Sequence, residues 1–395
     1  MQIEEVVIVS GARTPIGGFL GSLKSFMPVD LACIASDEAI SRSGYGPEQF
    51  EEVVLGMLYK QGSKGNPARQ VQIKCGMPSS GWAHTVDQQC ASGMRAFENV
   101  VSSIQLGKAE VGLAVGVESM SNAPYLLMQE RSGHRMGDGT ILDSMLYDGL
   151  VCAMYGKHMG VTAENLAEKY SVTRQEQDEL AFMSHQRAVA AIENGVFKDE
   201  IVPVVIKSKK GDTVIDTDEH PRKDTSLERL ATMKPAFIDS GTVTAGNSSG
   251  VNDGAAAVVV SSAKKAKDSG KKPMARVLTV ANAGADPEIM GIGPAYVIPK
   301  ALKMAGLKME DIGYFEINEA FAAQFLACNR ELKLDMSKVN LNGSGVGLGH
   351  PVGCTGTRII ISLMYQMKRM GVRYGVASLC VGGGPAMATI LELID

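Results

Sequence analysis

The chain has 395 residues, 45% of them apolar, and a net charge of −4, enough for two or three domains around a sizeable core. The slight negative charge argues against general binding to nucleic acid or membrane surfaces. No apolar run reaches the roughly 18 residues of a membrane helix, and Met1–Glu5 lacks the basic start and apolar run of a signal peptide, so a cytoplasmic enzyme is expected.

In chain order, Glu5–Ser10 is rich in Val and Ile and predicts a strand, followed by a helix over 29–43 that stops at Gly44. Val53–Gly56 predicts a second strand, and a third leads to Cys90. Met94, Phe97, Val101 and Ile104 recur at helical spacing, which predicts a helix over 92–106. Val111–Gly116 predicts another strand. From 121 to 244 the pattern changes: Met, Gly and charge are frequent, with helical periodicity near 161–170 and 173–194. Ala255–Val260 then predicts a buried strand returning to the first sheet, and the basic run Lys264–Lys272 a solvated link.

The first order of elements now recurs: strand Ala275–Val280, helix 296–305 ending at Gly306, strand Tyr314–Ile317, strand Lys338–Asn342, helix 355–370 and strand Gly375–Cys380. This repeat predicts two related α/β halves, 1–120 plus 245–270 and 271–395, with parallel strands, right-handed crossovers and an inserted lid-like domain at 121–244. Cys90 and the loop before His350 occupy equivalent corners of the two halves.

The seven cysteines are Cys33, Cys75, Cys90, Cys152, Cys328, Cys354 and Cys380. Their odd number and wide spacing resemble neither a disulfide framework nor a zinc site, so no metal is expected and most should be small buried hydrophobes. Cys90 lies at the start of the 92–106 helix. The free amides and dipole of a helix start favour thiolate, the nucleophilic form, although a structural cysteine at a strand–helix join would look the same. Asn342–Gly353 is a glycine-rich turn, but not a dinucleotide site: Leu348 stands where the motif requires glycine, and no Asp or Glu occurs from 350 to 391. Its glycines allow a tight backbone around His350, which could take a proton from Cys90 or simply hold the loop. Cys380 precedes Gly382-Gly383-Gly384 and is either a second acid/base or a buried strand-end thiol. Asn318 ends a strand, where its amide could orient a water or polarise a carbonyl, or N-cap a helix. Glu319 could order these surroundings.

Cys90 with Ser92-Gly93, Asn318-Glu319-Ala320-Phe321, Gly349-His350-Pro351-Val352-Gly353 and Cys380-Val381-Gly382-Gly383-Gly384 resemble the motifs of thiolases. The resemblance covers essentially the whole chain, including Gly11-Ala12-Arg13-Thr14-Pro15. Tyr155–Gly160 and Ala245–Gly250 resemble the pocket segments of the biosynthetic members acting on acetoacetyl-CoA. The fold so implied is a pair of βαβαβαββ halves in a five-layer α-β-α-β-α sandwich with an inserted loop domain that holds coenzyme A. The implied chemistry is acyl transfer through an acyl-cysteine: Cys90 as nucleophile, His350 activating it, and Cys380 removing the α-proton of a second acetyl-CoA. One oxyanion site would lie at His350 with a water held by Asn318, the other at the amides of Cys90 and Gly382. His158, Met159, Arg222, Phe237, Ala245, Ser249, Met290, Ala320 and Phe321 would line the coenzyme A and acyl pocket. For Arg222 ordinary surface solvation is an equal expectation. The resemblance implies a homotetramer, with coenzyme A as substrate or product and no cofactor.

The chain departs from the common family pattern at Asp87-Gln88-Gln89 before Cys90, at Gly343-Ser344-Gly345-Val346-Gly347, and at Pro385. Alternatives are a thiolase for longer or branched 3-ketoacyl chains, a condensing enzyme using an acyl carrier protein, a cysteine hydrolase, or a non-catalytic acyl-CoA-binding protein. Cys380 speaks against the last three, none of which needs a second thiol.

Overall fold

The computed structural model describes residues 3–394. Met1 and Gln2, which open the stretch without signal-peptide features, and Asp395 lie outside the described residues. The first half contains β1 (Val6–Arg13), α1 (Pro28–Ser43), β2 (Glu52–Gly56), α2 (Pro67–Lys74), β3 (Trp82–Val86), α3 (Ser92–Gln105) and β4 (Val111–Ser119). A long excursion carries α4 (Met159–Lys169) and α5 (Arg174–Glu193) before the chain returns as β5 (Asn252–Ser262). The second half contains β6 (Ala275–Gly284), α6 (Gly293–Ala305), β7 (Tyr314–Ile317), α7 (Ala322–Leu332), α8 (Val352–Met370), β8 (Tyr374–Cys380) and β9 (Pro385–Leu393).

The strands run β3-β2-β4-β5-β1 in the first half and continue β6-β9-β8-β7 in the second. Both halves thus have the same order, read outward from the β1–β6 junction. The pairing repeats to the level of an irregularity: β1 skips a residue against β5 between Ile8 and Ser10, and β6 skips one against β9 between Val277 and Thr279. Such a bulge bends a strand and raises its twist.

Two expectations need correction. The sheet is mixed: β2, β3 and β4 are parallel, as are β7 and β8, but β5, β1, β9 and β6 pair antiparallel. Each half closes with a strand that returns antiparallel to its neighbour, through a short turn in the second half and after the long excursion in the first. Lys338–Asn342 does not form a full strand. It keeps only a bridge between Val339 and Phe315, because Met336–Lys338 coils into a 3₁₀ turn. The basic run begins as a short surface helix, Ala263–Asp268.

Residues alternate along each strand between an inner and an outer core. Val54, Ala114, Ala256 and Val258 face inward, where they meet α3, α8 and, from the second half, Ala377, Leu379 and Met387. Val53, Leu55, Leu113 and Val259 face outward against α1 and α2, and Phe315, Ile317 and Val376 face α6 and α7. The result is five layers, with α3 and α8 buried between the two halves of the sheet.

These two central helices approach closely at their N-terminal ends. A Cβ on Gly93 would lie 2.7 Å from the carbonyl oxygen of Gly353, and one on Gly356 would strike the backbone nitrogen of Met94. Only glycine permits such backbone contact. The contact brings Cys90, just before α3, towards His350, just before α8.

The excursion is tied to both halves. Arg13 is buried and bonds Asp218 at 2.8 Å and Glu200 at 3.1 Å, a structural role for the Gly11–Pro15 motif. Ser184 of α5 donates to Glu319 at 2.6 Å and accepts from the Gly347 amide at 3.0 Å, which clamps the loop leading to His350.

Candidate active site

The backbone before Cys90 is held in an unusual shape. Gln89 has φ 48°, in the left-handed region that costs a non-glycine residue about 1–3 kcal/mol. Asp87 and Ser92 stabilise this turn: Asp87 Oδ1 accepts from the Gln89 amide at 2.7 Å, and Ser92 Oγ accepts from the Gln88 amide at 2.9 Å. Ser92 also donates to the Gln89 carbonyl at 2.7 Å. The departure at Asp87 therefore supplies an acceptor for the turn. Residues Gln89–Ala91 form a 3₁₀ turn that runs straight into α3 and presents the Cys90 thiol at its start.

His350 is buried and held at three points. Its amide donates to Asn252 Oδ1 at 2.9 Å, its Nδ1 lies 2.6 Å from Thr355 Oγ1, and Pro351 caps the start of α8. Its Nε2 has no partner among the described residues, and His350 lines the same cavity as Cys90. Asn318 is also fully buried. Its backbone amide donates to the Ser378 carbonyl, while its side-chain Oδ1 and Nδ2 lack partners among the described residues. The N-cap alternative is excluded, because α7 begins only at Ala322 and Phe321 occupies its N-cap. Ser344, another departure, donates to the Ile317 carbonyl at 3.0 Å and so steadies the strand leading to Asn318.

Cys380 ends β8, completely buried, and β8 turns through Gly383 and Gly384 into β9. Pro385 opens β9, where its carbonyl accepts from Val381 at 3.0 Å, so the first residue of a strand accommodates the proline. Gly382 packs against the nucleophile turn: a Cβ there would lie 2.5 Å from Gln89 Oε1 and 2.8 Å from Met159 Cε.

Electrostatics correct one expectation. Burial pushes the Cys90 thiol up to about 11, against the lowering pull of the Gly382 and Cys90 amides, and Glu118 and Asp87 raise it further. The helix start therefore does not produce a resting thiolate, because desolvation of the charge outweighs it. Burial, helped by the positive charge of Arg358, lowers His350 to about 3, so its imidazole is neutral at pH 7. Burial also raises Cys380 well above the usual thiol range, with Cys90 and Cys328 adding to the effect. The resting site holds two neutral thiols and a neutral imidazole.

Cys90, His350 and Gly382 line one cavity of about 60 Å³ with Met159, Ser249, Met290, Ala320 and Phe321. His158 and Phe237 stand one layer back, stacked at 4.7 Å, with Phe237 edge-on to Phe321. Arg222 and Ala245 lie elsewhere, in a neighbouring groove of about 300 Å³ that also contains His185, His220 and Ser248. Leu58, Gly149, Leu150 and Val352 complete the small cavity and were not anticipated. Leu58 follows the C-terminal end of β2, where sites gather in such sheets; Gly149 and Leu150 carry no local signal.

The family description "Thiolase, N-terminal domain" matches residues 6–264, and "Thiolase, C-terminal domain" matches 271–393. An acetyl-CoA acetyltransferase of Syntrophomonas wolfei is 48% identical over 394 residues, covering 99% of each chain. The crystal structure of the Bacillus anthracis acetyl-CoA acetyltransferase superposes with a TM-score of 0.97 at 48% identity, covering 100% of both chains. Human mitochondrial 3-ketoacyl-CoA thiolase superposes with a TM-score of 0.97 at 41% identity, again covering 100% of both.

Proposed function

The chain belongs to the thiolase family, and we propose that its acetyl transfer runs through Cys90, His350, Asn318, Cys380 and Gly382. It is an acetyl-CoA acetyltransferase, which joins two acetyl-CoA into acetoacetyl-CoA and coenzyme A, reversibly. The observation that carries the residue assignment is the meeting of Cys90, His350 and Gly382 in one small cavity, with Cys380 packed in one cluster with its lining residues Met159, Met290, Ala320 and Phe321.

In the first half-reaction the Cys90 sulfur attacks the thioester carbonyl of acetyl-CoA while His350 Nε2 takes its proton. The amides of Cys90 and Gly382 hold the oxyanion of the tetrahedral intermediate. The carbon–sulfur bond to coenzyme A then breaks, Cys380 protonates the departing sulfur, and Cys380 is left as thiolate. In the second, Cys380 takes the α-proton of another acetyl-CoA. The enolate oxygen is held by the protonated His350 and by a water on Asn318. The carbanion attacks acetyl-Cys90, acetoacetyl-CoA leaves, and His350 returns its proton to Cys90. Both sulfurs end as thiols, so the cycle closes.

The neutral resting groups support this order, since charge is created only where a substrate can share it. A cavity of about 60 Å³ is near the space of two water-sized groups and suits an acetyl unit. Met159, Met290 and Phe321 wall it against longer chains. In this reading the excursion over 121–244 holds coenzyme A, with its acyl end at the cavity and its nucleotide end towards the Arg222 groove. Exposed Tyr125, Leu127, Met128 and Met136 on the excursion fit a role in tetramer assembly. A cytoplasmic location fits a chain in which, among the described residues, no helix is long and apolar enough to cross a membrane. Coenzyme A enters as substrate or product, and no cofactor takes part.

The test is thiolysis of acetoacetyl-CoA by free coenzyme A, with Cys90→Ala and Cys380→Ala alongside. Cys90→Ala should abolish turnover. Cys380→Ala should still be acetylated at Cys90 but should lose condensation; full condensation in that variant would remove Cys380 from the mechanism.

A further inference from the structure

The catalytic role drawn for His350 needs a free electron pair on Nε2, and Nε2 is bare only when the ring proton sits on Nδ1. What chooses between the two nitrogens is the group beside Nδ1. That group is the hydroxyl of Thr355, 2.6 Å away and fully buried. The same hydroxyl lies 2.9 Å from the carbonyl oxygen of Pro351, one turn earlier.

A hydroxyl has a single proton to donate. The Pro351 carbonyl can only accept, whereas Nδ1 can donate or accept. If the hydroxyl donates to Pro351, its own oxygen is free to accept from Nδ1–H, and both contacts are hydrogen bonds. If it donates to Nδ1 instead, two oxygen lone pairs face each other at 2.9 Å with no proton between them. The first arrangement puts a proton in both contacts; in the second the Pro351 carbonyl keeps its bonds from the Cys354 and Thr355 amides, but the hydroxyl's bond to it is lost and a repulsion added, in a place that buries the hydroxyl from solvent. We propose that Thr355 is a positioning residue which holds the proton of His350 on Nδ1, so that Nε2 faces Cys90 as a base.

The arrangement serves the rest of the cycle unchanged. When Nε2 takes the Cys90 proton, the ring carries a proton on each nitrogen, and Nδ1–H still donates to Thr355. When that proton returns to Cys90, the ring is back in its starting form. No proton crosses from one nitrogen to the other, and the hydroxyl never turns. Thr355 touches neither substrate nor sulfur; it acts through the ring. The second anchor, from the His350 amide to Asn252, fixes the backbone but leaves the choice of nitrogen open.

This inference rests on the role proposed for His350 and is tested separately from it. Histidine-selective ¹⁵N spectra of the resting wild type, assigned by comparison with His350→Ala among the six histidines, should show His350 protonated at Nδ1. Protonation at Nε2 would overturn the proposal without any variant of Thr355 having to fold. Thr355→Val keeps the shape and removes the hydroxyl. It should slow acetylation of Cys90 by about 10- to 100-fold with KM changed less than about threefold, and should move the ring proton to Nε2. Thr355→Ser should restore both the rate and the Nδ1 signal. A valine variant that acetylates within about twofold of wild type, while His350→Ala is inactive, would overturn the inference alone. Retained turnover in His350→Ala would overturn the catalytic reading beneath it.

Discussion

The His350 amide donates a 2.9 Å hydrogen bond to the side chain of Asn252, so a residue at the start of β5 in the first half holds the backbone that carries the imidazole of the second. Asn252 is fully buried, and it also donates to the Gly17 carbonyl at 3.0 Å. One amide thus ties three segments that meet beneath the cavity. Asn252→Ala should lower kcat for thiolysis by about 10-fold or more. It should also cost about 1–3 kcal/mol of stability, because the His350 amide is left buried without an acceptor. Steady-state kinetics and thermal melts would check both. Unchanged kcat in a destabilised protein would confine Asn252 to folding.

The protonation states make a pH prediction. Cys90 titrates near 11 and His350 near 3, so from pH 5 to 10 the ring stays neutral and the thiolate fraction rises with pH. Alkylation of free enzyme by iodoacetamide at Cys90, corrected with Cys90→Ala, should therefore rise about tenfold per pH unit from 7 to 10. A flat profile below pH 8 would instead mean a thiolate–imidazolium pair at rest.

A methyl group at Gly382 would meet the movable ends of Gln89 and Met159, so alanine there leaves the backbone amide in place, whereas proline removes it. Gly382→Pro should cost about 100- to 1000-fold in kcat, the usual loss when one oxyanion donor is removed, and Gly382→Ala far less. Mass spectrometry of the acetyl-enzyme would show whether the loss precedes or follows acetylation; the donor serves the oxyanion formed when Cys90 attacks the thioester, so acetylation itself should slow.

Met290 is buried in one cluster with Cys380, Met159 and Phe321 and lines the cavity. Met290→Ala should enlarge the acyl site and raise the relative kcat/KM for six-carbon over four-carbon 3-ketoacyl-CoA by about 10-fold. It should also cost about 2–5 kcal/mol of stability through the space left behind. An unchanged ratio would place the limit on chain length elsewhere, at Met159 or Phe321.

Much of the fold was legible because the chain repeats itself. The helical spacing of Met94, Phe97, Val101 and Ile104 placed α3 within a residue of its observed end, and all four are buried. Two mistakes share one cause. The antiparallel return of β5 and β9, and the reduction of Lys338–Asn342 to a single bridge, depend on which segments pair. A strand's own residues say that it will pair but seldom with which partner or in which direction.

By itself, the sequence determined the duplicated α/β plan and singled out Cys90, Asn318, His350 and Cys380. That was possible because these residues stand at strand ends beside glycines, where local pattern and chemistry coincide. Tertiary structure alone decided the charges and the closure of the site. Burial by distant segments made Cys90 a neutral thiol where its helix start favoured a thiolate, and Arg358 added its charge to the lowering of His350. Asn252 reached His350 across 98 positions of chain, and Leu58 and Leu150 completed the cavity. Desolvation and hydrogen-bond partnership are properties of assembled neighbours, so they come into being only when the two halves close on α3 and α8.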